Sequence, residues 1–233
     1  MKRDKPGPDV SELLGSVSFQ KAAEAAAGHF VEKKLPTRTV EKKGFRFDPA
    51  SGTVTWAGGR KEPYLLTVSG LVEEPATFSY RALQELPATS QVSDFHCVEG
   101  WSVLDVRWEG IRFEEIFKRI KARPAAKFAL FHAMGETHYV AQGLNHYIES
   151  FPIADLVDPR KEILLVLKMN GEPLSREHGA PLRVVSPYDL AYKSIKYVAR
   201  IEITEKAAEG WWTLANPIYP AVAPVPKERL RKK

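Results

Sequence analysis

One thiol and one short histidine–arginine element carry most of the chemistry this sequence offers. Cys97 is the only cysteine among 233 residues. It falls where the run ending in Phe95-His96 gives way to the polar, glycine-bearing turn Val98-Glu99-Gly100-Trp101-Ser102. A packing cysteine belongs inside an apolar run, whereas a sulfur at a strand-to-loop junction can face a cleft. From position alone four uses stay open: packing, nucleophile, redox sensor and metal ligand. A nucleophile needs an imidazole beside the sulfur. His96 is adjacent in sequence, but neighbouring strand residues point to opposite faces, so it is a poor partner. His132, His138, His146 and His178 follow no zinc-site spacing such as H-x-x-x-H. A single cysteine also excludes an intramolecular disulfide and any zinc site built from several thiolates.

The second element is Ser175-Arg176-Glu177-His178-Gly179-Ala180-Pro181-Leu182-Arg183. Gly179 permits a tight turn, and Pro181 fixes the chain ahead of a strand that opens on a cation. His178, Arg183 and backbone N–H groups can then converge on a phosphate or another anion. The plainer alternative is a connecting loop whose arginine makes a salt bridge. A further basic set follows in Tyr192-Lys193-Ser194-Ile195-Lys196.

The elements that must position these residues are mostly strands. Extended segments are predicted at Tyr64–Val68, Gln91–Cys97, Val103–Trp108, Lys127–His132, Glu162–Lys168, Leu182–Val185 and Tyr197–Ile203. Asn170-Gly171 signals a type I′ turn. Ser79 is the expected N-cap of a short helix. Gly110 is expected to open another, in which Phe113, Ile116, Phe117 and Ile120 make an apolar face. The fold class expected is α+β, a mostly-β mixed domain. An N-terminal arm over 1–35, with a short helix over 18–34, precedes it. Residues 36–63 read as an irregular loop with a small hairpin, the domain itself spans 36–212, and 213–233 form an extended basic tail.

Composition narrows the function classes. The chain is 44% hydrophobic and 27% charged, with net charge +5 and a pI near 9.2, an ordinary globular balance. Part of the excess sits in Lys227, Arg229, Arg231, Lys232 and Lys233. Basic residues elsewhere are interleaved with acids and no groove-reading motif is present, so nucleic acid is not the expected partner. No apolar run approaches the ~20 residues of a membrane-spanning helix. No twin-arginine pair or h-region of ~7–15 residues opens the sequence, so the expected location is cytoplasmic.

Five segments in register resemble the molybdopterin-binding domain of the sulfite oxidase superfamily. They are Phe95-His96-Cys97-Val98-Glu99-Gly100-Trp101-Ser102, Val106-Arg107-Trp108-Glu109-Gly110, Met169-Asn170-Gly171-Glu172-Pro173-Leu174, His178–Arg183 and Lys193-Ser194-Ile195-Lys196. The resemblance covers about two-thirds of the chain, 64–212. The turn after Cys97 is most similar to the branch of methionine-sulfoxide reductase catalytic subunits and their small haem-free relatives. The resemblance implies that Cys97 ligates a molybdenum whose other sulfurs come from one molybdopterin per chain, without haem. A thiolate suits a soft metal. It also implies cofactor contacts at His178, Arg183, Ser194, Ile195 and Lys196.

The activity implied is oxygen-atom or electron transfer on a small-molecule substrate of the S- or N-oxide type, with electrons from a separate partner. Two departures qualify this. Sulfite oxidases follow the ligand cysteine with arginines, whereas here Val98-Glu99-Gly100-Trp101 brings an acid, which disfavours an anion such as sulfite. The family's N-terminal cofactor segment has no clear match, Thr37-Arg38-Thr39 lying nearest its expected place. A cofactor-free binding module and thiol catalysis by Cys97 are the rival readings.

Overall fold

The computed structural model describes residues 29–37 and 39–231. In chain order its first strands are β1 (Phe30–Val31), β2 (Phe45–Asp48), β3 (Thr53–Trp56), β4 (Lys61–Pro63), β5 (Leu65–Gly70) and β6 (Ala76–Ser79). Next come α1 (Tyr80–Gln84), β7 (Ala88–His96), β8 (Trp101–Arg112), α2 (Phe113–Ile120), β9 (Phe128–Ala133), β10 (Ile148–Pro152) and α3 (Ile153–Val157). The chain continues through β11 (Leu164–Met169), β12 (Glu172–Pro173), β13 (Arg183–Val185), β14 (Val198–Thr204) and α4 (Trp211–Ala215). This is the α+β, mostly-β arrangement expected.

Two mixed sheets do the positioning. In the first, β8 is central: β7 and β11 flank it antiparallel, β1 adds in parallel at its start, and β13 and β12 pair with β11. The second runs β10-β9-β14-β5-β6, with β14 and β5 parallel. A three-stranded meander, β2-β3-β4, stands where an irregular loop with a small hairpin was expected. Its alternation is short, but Phe45 and Val54 are buried and Phe45 packs edge-on against Tyr197 at 5.3 Å.

Local chemistry explains the elements that match expectation. Ser79 Oγ accepts from Ala82 N–H at 3.1 Å and starts α1. Asn170 and Gly171 both take positive φ (54° and 88°), as a type I′ turn between β11 and β12 requires. In α2, Phe113, Ile116 and Ile120 are buried, and Phe113 meets Phe131 of β9 edge-on at 5.6 Å.

Three expectations change. Gly110 does not open a helix. It lies within β8 opposite Val166 of β11, where any Cβ would run into the Leu165 carbonyl. The glycine serves close strand approach, and the helix begins at Phe113. The helix expected over 18–34 falls largely outside the described residues, and its described end holds β1 instead. β10 had no strand signal, because its Ile148-Glu149-Ser150-Phe151 is buried on both faces and a glutamate interrupts the apolar run. Glu149 is matched inside by Lys193, whose Nζ donates to Glu149 Oε1 and, at 2.9 Å each, to the carbonyls of Ser150 and Ala221. Burial pushes the Glu149 carboxyl up, and the Lys193 ammonium opposes that shift.

The second sheet carries a buried histidine with a consequence for acid stability. Arg200 Nη2 donates to His132 Nδ1 at 2.9 Å, so the His132 proton sits on Nε2 and the ring is neutral. Burial first, then Arg200 and His146, lower its pKa from 6.5 to about 3. A lowered histidine contributes stability that is present above the unfolded value and lost as pH falls toward the folded one. Urea titrations are therefore expected to show the unfolding free energy dropping between pH 6.5 and about 3. The drop should be shallower in His132→Gln, which cannot protonate. Equal slopes in the two proteins would contradict this.

Candidate functional site

The β7–β8 hairpin ends in the turn that holds Cys97. Its N–H donates to the Trp101 carbonyl at 2.9 Å, Gly100 N–H donates back to the Cys97 carbonyl at 3.2 Å, and Gly100 takes φ 90°. The turn presents Cys97, 9% exposed, to a cavity of about 460 Å³. Phe95, Val98, Glu99 and Trp101 line the same side. Trp101 stacks on Phe95 at 6.4 Å and donates from Nε1 to Glu99 Oε2 at 2.8 Å, which holds that carboxylate in the wall. His96 points away, its Nδ1 lying 2.6 Å from Ser102 Oγ, as strand alternation predicts.

Arg183, Ser194, Ile195 and Lys196 line the same cavity. Four of the five expected cofactor residues therefore share one cavity with Cys97. Arg183 opens β13 and is 1% exposed, between the rings of Phe95 and Trp108 at 5.2 and 5.4 Å. It donates to the carbonyls of His178 (2.9 Å), Ser194 (3.1 Å) and Val184 (3.3 Å). Among the described residues no carboxylate pairs with it. Burial lowers its pKa to about 10, so it keeps its charge near neutrality. Tyr197 and Glu41 oppose that shift without pairing with Arg183, and a buried guanidinium with no ion-pair partner is costly unless an anion completes it. Lys196 Nζ donates to the Glu177 carbonyl at 2.7 Å. Burial and the nearby Arg183 bring its pKa down to about 8, which Glu41 partly offsets.

His178 is placed differently. Its ring lies off the cavity wall, with Nδ1 3.0 Å from Ser175 Oγ and Nε2 3.2 Å from the Leu35 carbonyl. Its backbone carbonyl orients Arg183, and its ring fastens the segment whose Leu35 and Pro36 line the cavity.

Beyond Thr39, which belongs to the stretch lying nearest the family's N-terminal cofactor segment, sequence reasoning missed the remaining wall. Thr39, Val40 and Glu41 enter from the stretch before β2, while Arg38 is outside the described residues. Glu41 is buried, accepts from Thr39 Oγ1, and has its pKa raised by burial. Tyr147, Tyr192, Trp212 and Tyr219 complete the enclosure. Tyr219 packs on Trp212 at 5.0 Å and on Tyr192 at 5.5 Å, and Tyr147 Oη donates to the Tyr192 carbonyl at 2.5 Å. Only the aromatic content of the C-terminal segment hinted at this. No group of three or more His, Cys, Asp or Glu side chains among the described residues could hold a metal. A metal at Cys97 would therefore need ligands brought by a cofactor.

A thiol turn and a buried cation thus line one cavity in a domain built on mixed sheets. A family model, the oxidoreductase molybdopterin binding domain, matches residues 54–212. The chain belongs to that family, within the sulfite oxidase superfamily. The uncharacterized oxidoreductase YuiH of Bacillus subtilis (strain 168) is 33% identical over 147 residues, covering 63% of this chain and 68% of the relative.

Two catalytic subunits of protein-methionine-sulfoxide reductase, MsrP, are also similar. That of Ralstonia nicotianae is 28% identical over 179 residues, covering 73% of this chain and 51% of the relative. That of Xanthomonas campestris pv. campestris is 30% identical over 171 residues, covering 71% and 51%. The chain thus spans about half the length of both MsrP relatives. The crystal structure of the sulfane dehydrogenase SoxCD from Paracoccus pantotrophus shares the fold at TM-score 0.53 and 22% identity, covering 80% of this chain and 53% of that one.

Proposed function

We propose that the cavity holds one molybdopterin with its molybdenum, that Cys97 supplies a thiolate to the metal, and that the domain transfers an oxygen atom or electrons on a small uncharged S- or N-oxide. The observation that carries this reading is the shared cavity of Cys97 and the carboxylate-free, buried Arg183. The residues fit the group. Arg183 and Lys196 supply positive charge for its phosphate, and the Ser194-Ile195 turn offers backbone beside them. Arg183 keeps N–H donors beyond the three spent on carbonyls, since a guanidinium has five. When bound, the cofactor supplies two-electron chemistry that no side chain here provides.

The chain's own residues then select. The Glu99 carboxylate, fixed by Trp101, faces the cavity beside the proposed ligand and opposes an anionic substrate such as sulfite. Tyr192, Trp212 and Tyr219 offer an apolar, aromatic surface to a neutral one. The function that the MsrP relatives are named for, protein-methionine-sulfoxide reduction, is in keeping with a neutral S-oxide. Electrons come from a separate redox partner. Protein made in a molybdopterin-competent host is expected to contain about one molybdenum per chain and to oxidise a reduced dye with a sulfoxide or N-oxide, but not to oxidise sulfite. Absence of molybdenum would favour a binding module that keeps the fold without the cofactor. Thr39 and Glu41 on the cavity wall weaken that alternative, because the N-terminal segment does reach the site.

A further inference from the structure

The family match ends at residue 212, yet the segment beyond it makes some of the most specific contacts around Cys97. Arg229 Nη2 donates to the Trp101 carbonyl at 2.7 Å. That oxygen also accepts from Cys97 N–H at 2.9 Å and closes the turn. The same nitrogen lies 3.3 Å from Ser102 Oγ. Two residues on, Arg231 forks onto two carboxylates. It reaches Asp94 with contacts of 2.5 and 2.7 Å and Asp105 with contacts of 2.6 and 3.4 Å. Asp94 lies on β7 and Asp105 on β8, the two strands whose tip is the Cys97 turn. Asp105 N–H is itself tied to Asp94 Oδ1 at 3.0 Å.

The other end of this segment grips the cavity wall at Tyr192. Tyr192 Oη donates to the Pro220 carbonyl at 2.7 Å, and Lys193 Nζ reaches the Ala221 carbonyl at 2.9 Å. Leu190 N–H donates to Ala223 at 2.8 Å, and Val225 N–H donates to Tyr188 at 2.9 Å. Tyr192 and Lys193 belong to the turn that leads into Ser194-Ile195-Lys196. One stretch of chain is therefore bonded at one end to the segment leading into Ser194-Ile195-Lys196 and at the other to the thiol turn and its two strands. The extended basic tail packs here as a strap, because its arginines find the Trp101 carbonyl and the Asp94–Asp105 pair.

We propose that the strap over 216–231 sets the position of Cys97 relative to the Ser194-Ile195-Lys196 turn, with Arg229 and Arg231 as positioning residues for the thiol turn. The role assigned to Cys97 rests on the function proposed above, whereas the tether itself is tested without the cofactor. Cys97 is the only cysteine, so alkylation by iodoacetamide, followed by intact mass, reads the opening of this one turn in the full chain made without molybdate.

Arg229→Ala is expected to speed alkylation about 10-fold, the equilibrium effect of losing one hydrogen bond from a charged donor. Arg229→Lys should return most of that change, since an ammonium can still reach the Trp101 carbonyl. Arg231→Ala removes a half-exposed side chain and should give about a 3-fold rise, as a small ion-pair network allows. It keeps the test available if Arg229→Ala does not fold. In protein loaded with molybdenum, the same variants should lose metal faster on dialysis. Wild-type alkylation rates in Arg231→Ala, or in a folded Arg229→Ala, would overturn the tether. Faster alkylation with no molybdenum in any protein would uphold the tether and overturn only the cofactor reading.

Discussion

Replacing Cys97 with serine is expected to abolish molybdenum-dependent turnover while leaving the fold in place. The turn that presents the sulfur is closed through backbone atoms, Cys97 N–H to Trp101 O and Gly100 N–H to Cys97 O, and neither bond involves the side chain. Serine has nearly the same shape, so the stability change should stay within the ~0.5–3 kcal/mol of an ordinary substitution. The loss is chemical. A thiolate is soft and readily deprotonated on coordination, whereas a serine hydroxyl is a harder donor that keeps its proton near neutrality. Losing a direct ligand should exceed the 10–100-fold effect typical of residues that merely support one. A fall in activity of more than about 100-fold, with an unchanged circular dichroism melt, is therefore expected. Retained activity and metal content would remove Cys97 from the metal. Thiol catalysis would also lose activity in this variant, so the distinguishing measurement is wild-type protein made without molybdate. The proposed reaction should vanish in it, whereas thiol chemistry would persist.

The sequence was most legible where one local rule decided the outcome. Ser79 capped its helix, Asn170-Gly171 made its turn, and the alternation around Phe95 put Cys97 and His96 on opposite sides of the chain. Cys97, Arg183, Ser194, Ile195 and Lys196 stand out because they lie in short distinctive segments, and the fold brings those segments to one cavity. Reading failed where a residue's role depends on a partner far along the chain. Gly110 looked like a helix start until Leu165 lay against it. Glu149 disguised a buried strand because its partner, Lys193, lies in the turn that forms part of the cavity wall. Arg229 and Arg231 read only as part of a basic tail, and their acceptors lie on β7, β8 and the turn between them. Glu41 and Tyr219 are silent for the same reason, as each stands on a wall whose other members come from elsewhere in the chain. His178 is placed differently from the other motif residues, its backbone carbonyl orienting Arg183 while its ring is turned toward Leu35.

Arg183→Met is expected to separate the stability of the empty domain from its hold on the cofactor. In the unloaded protein two effects oppose each other. Removing the guanidinium relieves a buried charge that no carboxylate neutralises, and exchanging buried ionic groups for apolar ones is often neutral or stabilising by ~1–4 kcal/mol. It also strands the carbonyls of His178, Ser194 and Val184, at about 1–3 kcal/mol for each one left unsatisfied. For three carbonyls the penalty is about 3–9 kcal/mol, which the relief offsets only in part, so the unloaded melting temperature should fall by several degrees while the domain still folds. The loaded protein has no such cancellation. Truncating one partner of a buried charge pair costs about 2–5 kcal/mol, and each 1.4 kcal/mol weakens binding tenfold. The cofactor should therefore be lost on gel filtration, along with the thermal gap between loaded and unloaded protein, which is about 2.7 kcal/mol for a ligand held at a hundred times its Kd. Arg183→Lys should fall between, since one ammonium keeps the charge but cannot span the His178 and Ser194 carbonyls while also facing the cavity. Pterin fluorescence after denaturation measures the cofactor retained. A full complement in Arg183→Met would show that the anion is held elsewhere on the wall, with Lys196 the next residue to change.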